Sequence, residues 1–276
     1  MTTEQQVATH YGNAGIAERV LAALHAAHGP EAPVTVDLLA PLDQFHGRGL
    51  AATQELVALL QPREGERLLD IGSGIGGPAR WIAARFRVHV TGVDLTPEFC
   101  AAAEALNLAA GLADRVRIIR GSALALPVPD EAFDAAYSQN VVMNIADKPG
   151  FYREAFRALR PGGRLALSNV CAGTEGEPYF PVPWATTRET SFLASPDEMR
   201  ADLAAAGFAI VDFRDTSDAI VEQQRRNRER LLRGEMPRVA ADIILGARAR
   251  EMQVNSIRST EEGRTRMVEA LVRKPG

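Results

Sequence analysis

The chain has 276 residues, 46% hydrophobic and 24% charged, an ordinary globular composition long enough for one large domain with insertions or two small ones. A net charge of −4 argues against a dedicated nucleic-acid binder. The two cysteines, Cys100 and Cys171, are too few for a disulfide framework and too far apart for a zinc motif, and no run of about 18 apolar residues exists to span a membrane. The opening MTTEQQVATHYGN lacks a basic region followed by an apolar one, which predicts no secretory leader and a cytoplasmic address.

The first 60 residues read as helical. Asn13 is placed to cap a helix over about Ala14–Ala27, with Ile16, Val20, Leu21 and Leu24 on one face and Gly29-Pro30 stopping it. A second helix is expected over Leu50–Gln61, ending before Pro62. The stretch between them, ending in DQFHGRG (Asp43 to Gly49), reads as irregular. From residue 66 strands and helices alternate. Strands are expected at Arg67–Ile71, Val88–Val93, Val116–Ile119, Phe133–Ser138 and Arg164–Ser168, each a short apolar run suited to a sheet buried on both faces. Helices are expected at Pro78–Arg85, Pro97–Ala110 and Phe151–Leu159, the second with Thr96 as its cap and Gly111 closing it. Repeated βα units favour a doubly wound α/β sheet.

Past Ser168 the alternation breaks. Cys171–Ala194 holds Pro178, Pro181, Pro183 and Trp184, a long loop of the lid kind. Ser195-Pro196-Asp197-Glu198 offers a capping box opening a helix to about Ala206. Phe208–Phe213 reads as a strand, Asp218–Ile257 as arginine-rich helix, and Met267–Arg273 as a final strand.

The strongest signal is the run from Leu68 to Gly77, LLDIGSGIGG, a strand entering a glycine-rich turn and then a helix. Glycines there permit positive φ and let a ligand lie against bare backbone. Asp94, at the end of the next strand, is placed to accept hydrogen bonds from both hydroxyls of an adenosine ribose. The glycine spacing alone also satisfies the dinucleotide pattern, which leaves nicotinamide cofactors open. Asp70 inside the strand, SQNVVMNI after the fourth strand, and the closing strand of the chain pull the other way.

Taken in order, LLDIGSGIGG, VTGVDLTPEF, IIRGSALALPVPDEAFDAAYSQNVVMNI and LRPGGRLALSNV resemble the class I S-adenosylmethionine-dependent methyltransferases over about residues 64 to 170. DQFHGRG and PYFPVPWA are similar to a small-molecule subgroup that includes the sarcosine/dimethylglycine N-methyltransferases and, more distantly, the tocopherol and sterol C-methyltransferases. The resemblance implies a Rossmann-like, mostly parallel seven-stranded sheet with an antiparallel last strand. It also implies an N-terminal helical cap (1–62), an S-adenosylmethionine-binding core (63–170), and a lid loop, helical insertion and last strands (171–276) completing the same domain. Gly72, Ser73 and Gly74 are then expected beside the methionine part of the cofactor, Asp94 on the ribose and Leu95 against the adenine. Ser122-Ala123 stands where the family often has Asp-Ala, and Gln139 is expected to offer its backbone carbonyl to the cofactor's ammonium.

Methyl transfer is an in-line displacement in which the cofactor carries most of the reactivity, so alignment matters more than any obligatory triad. His46 is the first candidate base, with Asp43 as its orienter, and Tyr11 is expected to close over the methyl-donor end as N-terminal tyrosines do in similar enzymes. Asn140, Met143 and Asn144 follow the fourth strand, where an open α/β sheet places its ligand. Tyr179, Phe180 and Trp184 are expected to wall the acceptor site. No set of residues has metal-ligand spacing, so no metal is expected. Expected partners are a small-molecule acceptor, no nucleic acid and no membrane, for a monomer or homodimer. An NAD(P)-dependent oxidoreductase and a non-catalytic cofactor-binding scaffold are the alternatives.

Overall fold

A computed structural model describes residues 2–235 and 240–276. Seven strands form one sheet: β1 (Arg67–Ile71), β2 (His89–Asp94), β3 (Val116–Arg120), β4 (Phe133–Gln139), β5 (Leu159–Ala172), β6 (Ala209–Asp215) and β7 (Thr265–Arg273). Their order is β3-β2-β1-β4-β5-β7-β6. The first five run parallel, and β7 lies antiparallel between β5 and β6, as the resemblance implied.

The period-two alternation of β1 sends its residues to both faces of the sheet. Leu69 and Ile71 pack with Phe151, Tyr152 and Leu203, from α7 (Lys148–Ala158) and α8 (Pro196–Ala205). Leu68 packs on the opposite face with Leu56, Trp81 and Ile82, from α4 (Leu50–Leu60) and α5 (Gly77–Phe86). A third cluster joins Ile16, Val20 and Leu24 of α2 (Ile16–His28) to Phe99 of α6 (Pro97–Ala109) and to Ile243 and Ile244 of α10 (Ala240–Leu245). The N-terminal cap and the late insertion therefore meet above one end of the sheet.

Several local expectations need correction. Asn13 does not cap α2; Gly15 does, in the left-handed region at φ 72° and with no side-chain bond. Two further helices, α1 (Thr3–Tyr11) and α3 (Val36–Asp43), precede α4, and α3 occupies part of the stretch expected to be irregular. The Thr35 side chain caps α3 and Pro41 is accommodated inside it. Thr96 is the N-cap of α6 without a side-chain bond; its N–H instead donates to Asp94 Oδ1 at 2.9 Å. α7 begins at Lys148, three residues before the expected start, with Asp147 as its cap, and β5 begins as early as Leu159, where the expected helix would have ended. The Ser195–Glu198 capping box forms as expected. The long helical stretch divides into α9 (Ser217–Arg233), α10 and α11 (Ala249–Glu261), and its residues 236–239 lie outside the described residues.

Candidate active site

A cavity of about 1550 Å³ opens at the C-terminal ends of β1, β2 and β4, beneath the N-terminal helices and the insertion. Its floor is the glycine turn. Gly72 has φ 83°, and a Cβ there would stand 2.3 Å from Val141 Cγ2, so both its conformation and its packing demand glycine. Gly74, at φ 53°, meets nothing within 4 Å at its missing Cβ and lines the cavity together with Gly72 and Ser73. The turn is fixed from outside as well. Val93 O accepts from Gly72 N at 2.8 Å and from Ser73 N at 3.1 Å.

Behind the turn lies Arg80, fully buried. Its guanidinium donates to Ile75 O (2.7 Å), Asp43 Oδ2 (3.0 Å), Asn107 Oδ1 (2.9 Å) and Ala103 O (3.3 Å). One side chain thus ties the turn to α3 and α6. This corrects the expectation for Asp43, which orients Arg80 and not His46.

Asp94 accepts from Gly74 N at 2.7 Å and Thr96 N at 2.9 Å. It is buried and lines the cavity beside Leu95. Burial raises its pKa, opposed by those backbone donors. Each oxygen keeps acceptor capacity, and no cationic side chain is bonded to it among the described residues. Asp70 sits below, accepting from the Tyr137 hydroxyl at 3.0 Å. Burial pushes its pKa up to about 8 and the Asp94 charge adds to this, while the Tyr137 bond opposes it. Asp70 is accordingly held largely protonated at neutral pH.

Ser122 itself does not reach the cavity wall, although Ala123 and Leu124 do. Its hydroxyl donates to the Glu4 carboxylate of α1 and accepts from Leu124 N at 3.0 Å. Glu4 lines the cavity, so a carboxylate stands near this position although it comes from 118 residues away. No local pattern in the sequence signals that.

At the other end, the Tyr11 hydroxyl donates to Asn144 Oδ1 at 3.1 Å. Asn144 Nδ2 donates to Trp184 O (2.7 Å) and Thr190 O (3.1 Å). Its amide therefore stitches the N-terminal helix, the loop after β4 and the lid together. Tyr11 is packed among Phe45 and Phe99, and burial raises its pKa beyond any physiological range. Met143 and Trp184 line the cavity and pack on one another's cluster with Val182. Phe180 packs against that cluster. Tyr179 is not part of the wall. Its ring lies 4.0 Å from the Arg258 guanidinium and 4.2 Å from that of Arg264, and its hydroxyl donates to Glu262. The sequence expectation failed because a lid aromatic can face α11 as readily as the cavity.

His46 and Gln139 share a hub that the sequence reading missed. Thr53, fully buried on α4, places Oγ1 2.7 Å from Gln44 Oε1, 3.2 Å from His46 Nε2 and 3.2 Å from Gln139 Oε1. Among the described residues, His46 Nδ1, Gln139 Nε2 and Asn140 Oδ1 are buried without partners, as is Ser73 Oγ. Asn140 takes the left-handed region at φ 56°. Burial, and secondarily the Arg48 charge, lowers the His46 pKa to about 3. His46 is therefore neutral throughout the physiological range, and a pH–rate inflection near neutrality is not expected from it. Among the described residues no three His, Cys, Asp or Glu side chains gather as a metal site, and no helix is long and apolar enough to cross a membrane. Both cysteines are buried and unpaired.

Residues 69–167 match the family model described as a methyltransferase domain. That stretch runs from β1 into β5 and is similar to methyltransferase domains. The chain is similar to phosphoethanolamine N-methyltransferase 1 of Arabidopsis thaliana, 37% identical over 109 residues, which are 40% of this chain and 22% of that protein. It is also similar to 24-methylenesterol C-methyltransferase 2 of Oryza sativa subsp. japonica, 41% identical over 105 residues, 38% of this chain and 29% of that one. The chain thus spans less than a third of the length of these curated relatives. The crystal structure of the cyclase SpnF covers 100% of this chain and 97% of its own at a TM-score of 0.69 and 24% identity, a likeness of fold alone. The domain match and the antiparallel β7 set the nicotinamide alternative aside.

Proposed function

We propose that this protein transfers a methyl group from S-adenosylmethionine to a small-molecule acceptor by in-line displacement. The observation that carries the reading is the pairing of the open Gly74 surface with the buried Asp94 carboxylate at one end of a single large cavity. The residues fit the cofactor. Asp94 has acceptor capacity for two ribose hydroxyls, Leu95 offers an apolar face to the adenine, and Gly72, Ser73 and Gly74 leave room for the methionine part. Ala123 contributes backbone at the adenine end, and Gln139 stands where the ammonium would lie. Ser122 acts through Glu4. Bound there, the cofactor supplies an electrophilic methyl group on a sulfonium.

What the chain adds is alignment and the exclusion of water, which can supply about 7–11 kcal/mol in well-oriented systems. Tyr11, Asn144 and the lid carrying Trp184 form the enclosure, and Asn140 and Met143 border the acceptor. His46 acts as a neutral hydrogen-bond acceptor beside the nucleophile. The cap of residues 1–62 and the lid complete the core of residues 63–170 in one catalytic unit, with no nucleic-acid partner.

A second reading comes from the fold likeness to SpnF, which is named a cyclase: the same cavity would shape a bound molecule without moving a methyl group. Calorimetry with S-adenosylhomocysteine and NAD, followed by labelled methyl transfer into an extract of the source organism, separates these. Binding of the S-adenosyl ligand and a labelled product are expected. Binding of NAD alone refutes the proposal, and S-adenosyl binding with no labelled product favours the second reading.

A further inference from the structure

Resting on the methyl-transfer reading, we infer that Glu4 of α1 is the specificity residue for the amino group of the cofactor's adenine, with Ser122 as its positioning residue. Ser122 follows β3, and its loop is tied to the end of β2 by the Gly121 N–H, which donates to Asp94 O at 2.9 Å. The loop therefore stands beside Asp94 and Leu95, yet Ser122 itself does not line the cavity. Chemistry fixes the direction of both bonds at its side chain. Leu124 N has only a proton to give, so it donates to Ser122 Oγ at 3.0 Å. A carboxylate has only acceptors, so the single hydroxyl proton of Ser122 goes to Glu4. Neither bond depends on a tautomer or on the orientation of an amide.

The helix sets where that carboxylate stands. Thr3, Glu4, Val7 and Tyr11 all line the cavity, at the three- to four-residue spacing that marks one face of a helix. At the other end of α1 the Tyr11 hydroxyl donates to Asn144 Oδ1 and His10 Nε2 donates to Pro183 O at 3.1 Å, so this face is held toward the cavity at both ends. Among the described residues Ser122 is the only hydrogen-bond partner of the Glu4 carboxylate, which has about four lone-pair sites to offer.

An acceptor-only side chain calls for a donor. The ring nitrogens of adenine accept, and its exocyclic amine is the group that donates. Ser122 has spent its proton and is turned away from the cavity, and Ala123 brings no side-chain acceptor. Glu4 is thus the carboxylate that the loop after β3 itself lacks, delivered from the first turn of a distant helix. A carboxylate in a first turn also suits the helix dipole, but the dipole does not require that it face the cavity or be bonded to Ser122.

Calorimetry tests this with S-adenosylhomocysteine and its analogue carrying hydrogen in place of the 6-amino group, on the wild type, Glu4→Ala and Glu4→Gln. Both ligands keep the ribose, the homocysteine and the ring nitrogens, so the ratio of their dissociation constants isolates the amino group, as in a double-mutant cycle. The wild type is expected to prefer the amino ligand by about fivefold or more, the size of one hydrogen bond to a partly exposed carboxylate. Glu4→Ala should bring the ratio to within about twofold by weakening S-adenosylhomocysteine alone, and Glu4→Gln, which keeps an acceptor oxygen, should retain part of the preference. A merely structural Glu4 would weaken both ligands equally and leave the wild-type ratio in place. That result overturns the inference, as does a wild-type protein that binds the two ligands alike. Absence of any S-adenosylhomocysteine binding to the wild type overturns the methyl-donor reading and this inference with it, whereas tight binding with no amino preference overturns this inference alone.

Discussion

Replacing His46 by Gln should change how stability depends on pH. In the folded protein the His46 pKa is lowered from 6.5 to about 3, chiefly by burial. Between those values the unfolded chain takes up a proton that the fold refuses, so this residue makes the fold less stable as pH falls from about 6.5 toward 3. From pH 7 to pH 5 the contribution is about 2 kcal/mol, at roughly 1.4 kcal/mol per unit. Asp70 acts in the opposite sense. Its pKa is raised from 3.8 to about 8, so the fold keeps a proton that the unfolded chain has lost, and stability from this group grows as pH falls through that window. The wild-type profile therefore mixes two opposed slopes, and the informative quantity is the difference between wild type and variant. His46→Gln should gain about 2 kcal/mol relative to wild type on moving from pH 7 to pH 5. That is a relative rise in melting temperature of about 4–8 °C for a domain of this size. Thermal and urea unfolding at the two pH values measure it. An unchanged difference between the two proteins would falsify the placement of His46 as a desolvated neutral group and restore it as an ordinary titrating base.

Three further outcomes are expected. Asp94→Ala should weaken S-adenosylhomocysteine binding by about tenfold or more, since charge-assisted bonds contribute about 1.5–3 kcal/mol; an unchanged dissociation constant in calorimetry would reduce Asp94 to a turn-closing residue. Arg80→Met strips the buried Asp43 of its cation, at a cost of about 3–5 kcal/mol, and should lower the melting temperature by about 6–20 °C; a loss below about 2 °C counts against the brace. Tyr179→Ala should leave acceptor KM and kcat within about twofold, because surface changes away from a site act weakly; a rise in KM would put Tyr179 back in the wall.

The sheet was legible because its central parallel strands are buried on both faces, which leaves an apolar run in the chain. Arg67–Ile71 was bounded to the residue for that reason. The capping box at Ser195 was equally readable, since its donors and acceptors lie within four residues. By contrast, α1 has no fully buried residue, and only Tyr11 packs partly against the third cluster. Beyond that one ring it is held by polar bonds to distant partners, Tyr11 to Asn144 and His10 to Pro183, so it carries no apolar periodicity to read. Asn13 failed as a cap because the chain turns through Gly15 in a left-handed conformation open to glycine, and a side chain two residues earlier does not reach the orphan N–H groups.

The same division runs through the site. Glu4 apart, the cofactor end is built from backbone and residues adjacent in sequence. Gly72 must be glycine because Val141 fills its Cβ space, and Asp94 closes the turn through Gly74 N. Such constraints are written locally and survive in the chain as a motif. The acceptor end is built from side chains that meet only after folding: Thr53 from α4, Gln139 from β4, His46 from the loop before α4, and the apolar wall of α10 and α11. Each has an innocent local appearance, a threonine inside a helix or a glutamine at a strand end, and only their contacts at Thr53 Oγ1 bring them together. A fold that keeps the cofactor in its backbone and the acceptor in its side chains can change substrate without disturbing methyl-donor binding. The sequence therefore reads clearly at the first task and only through the structure at the second.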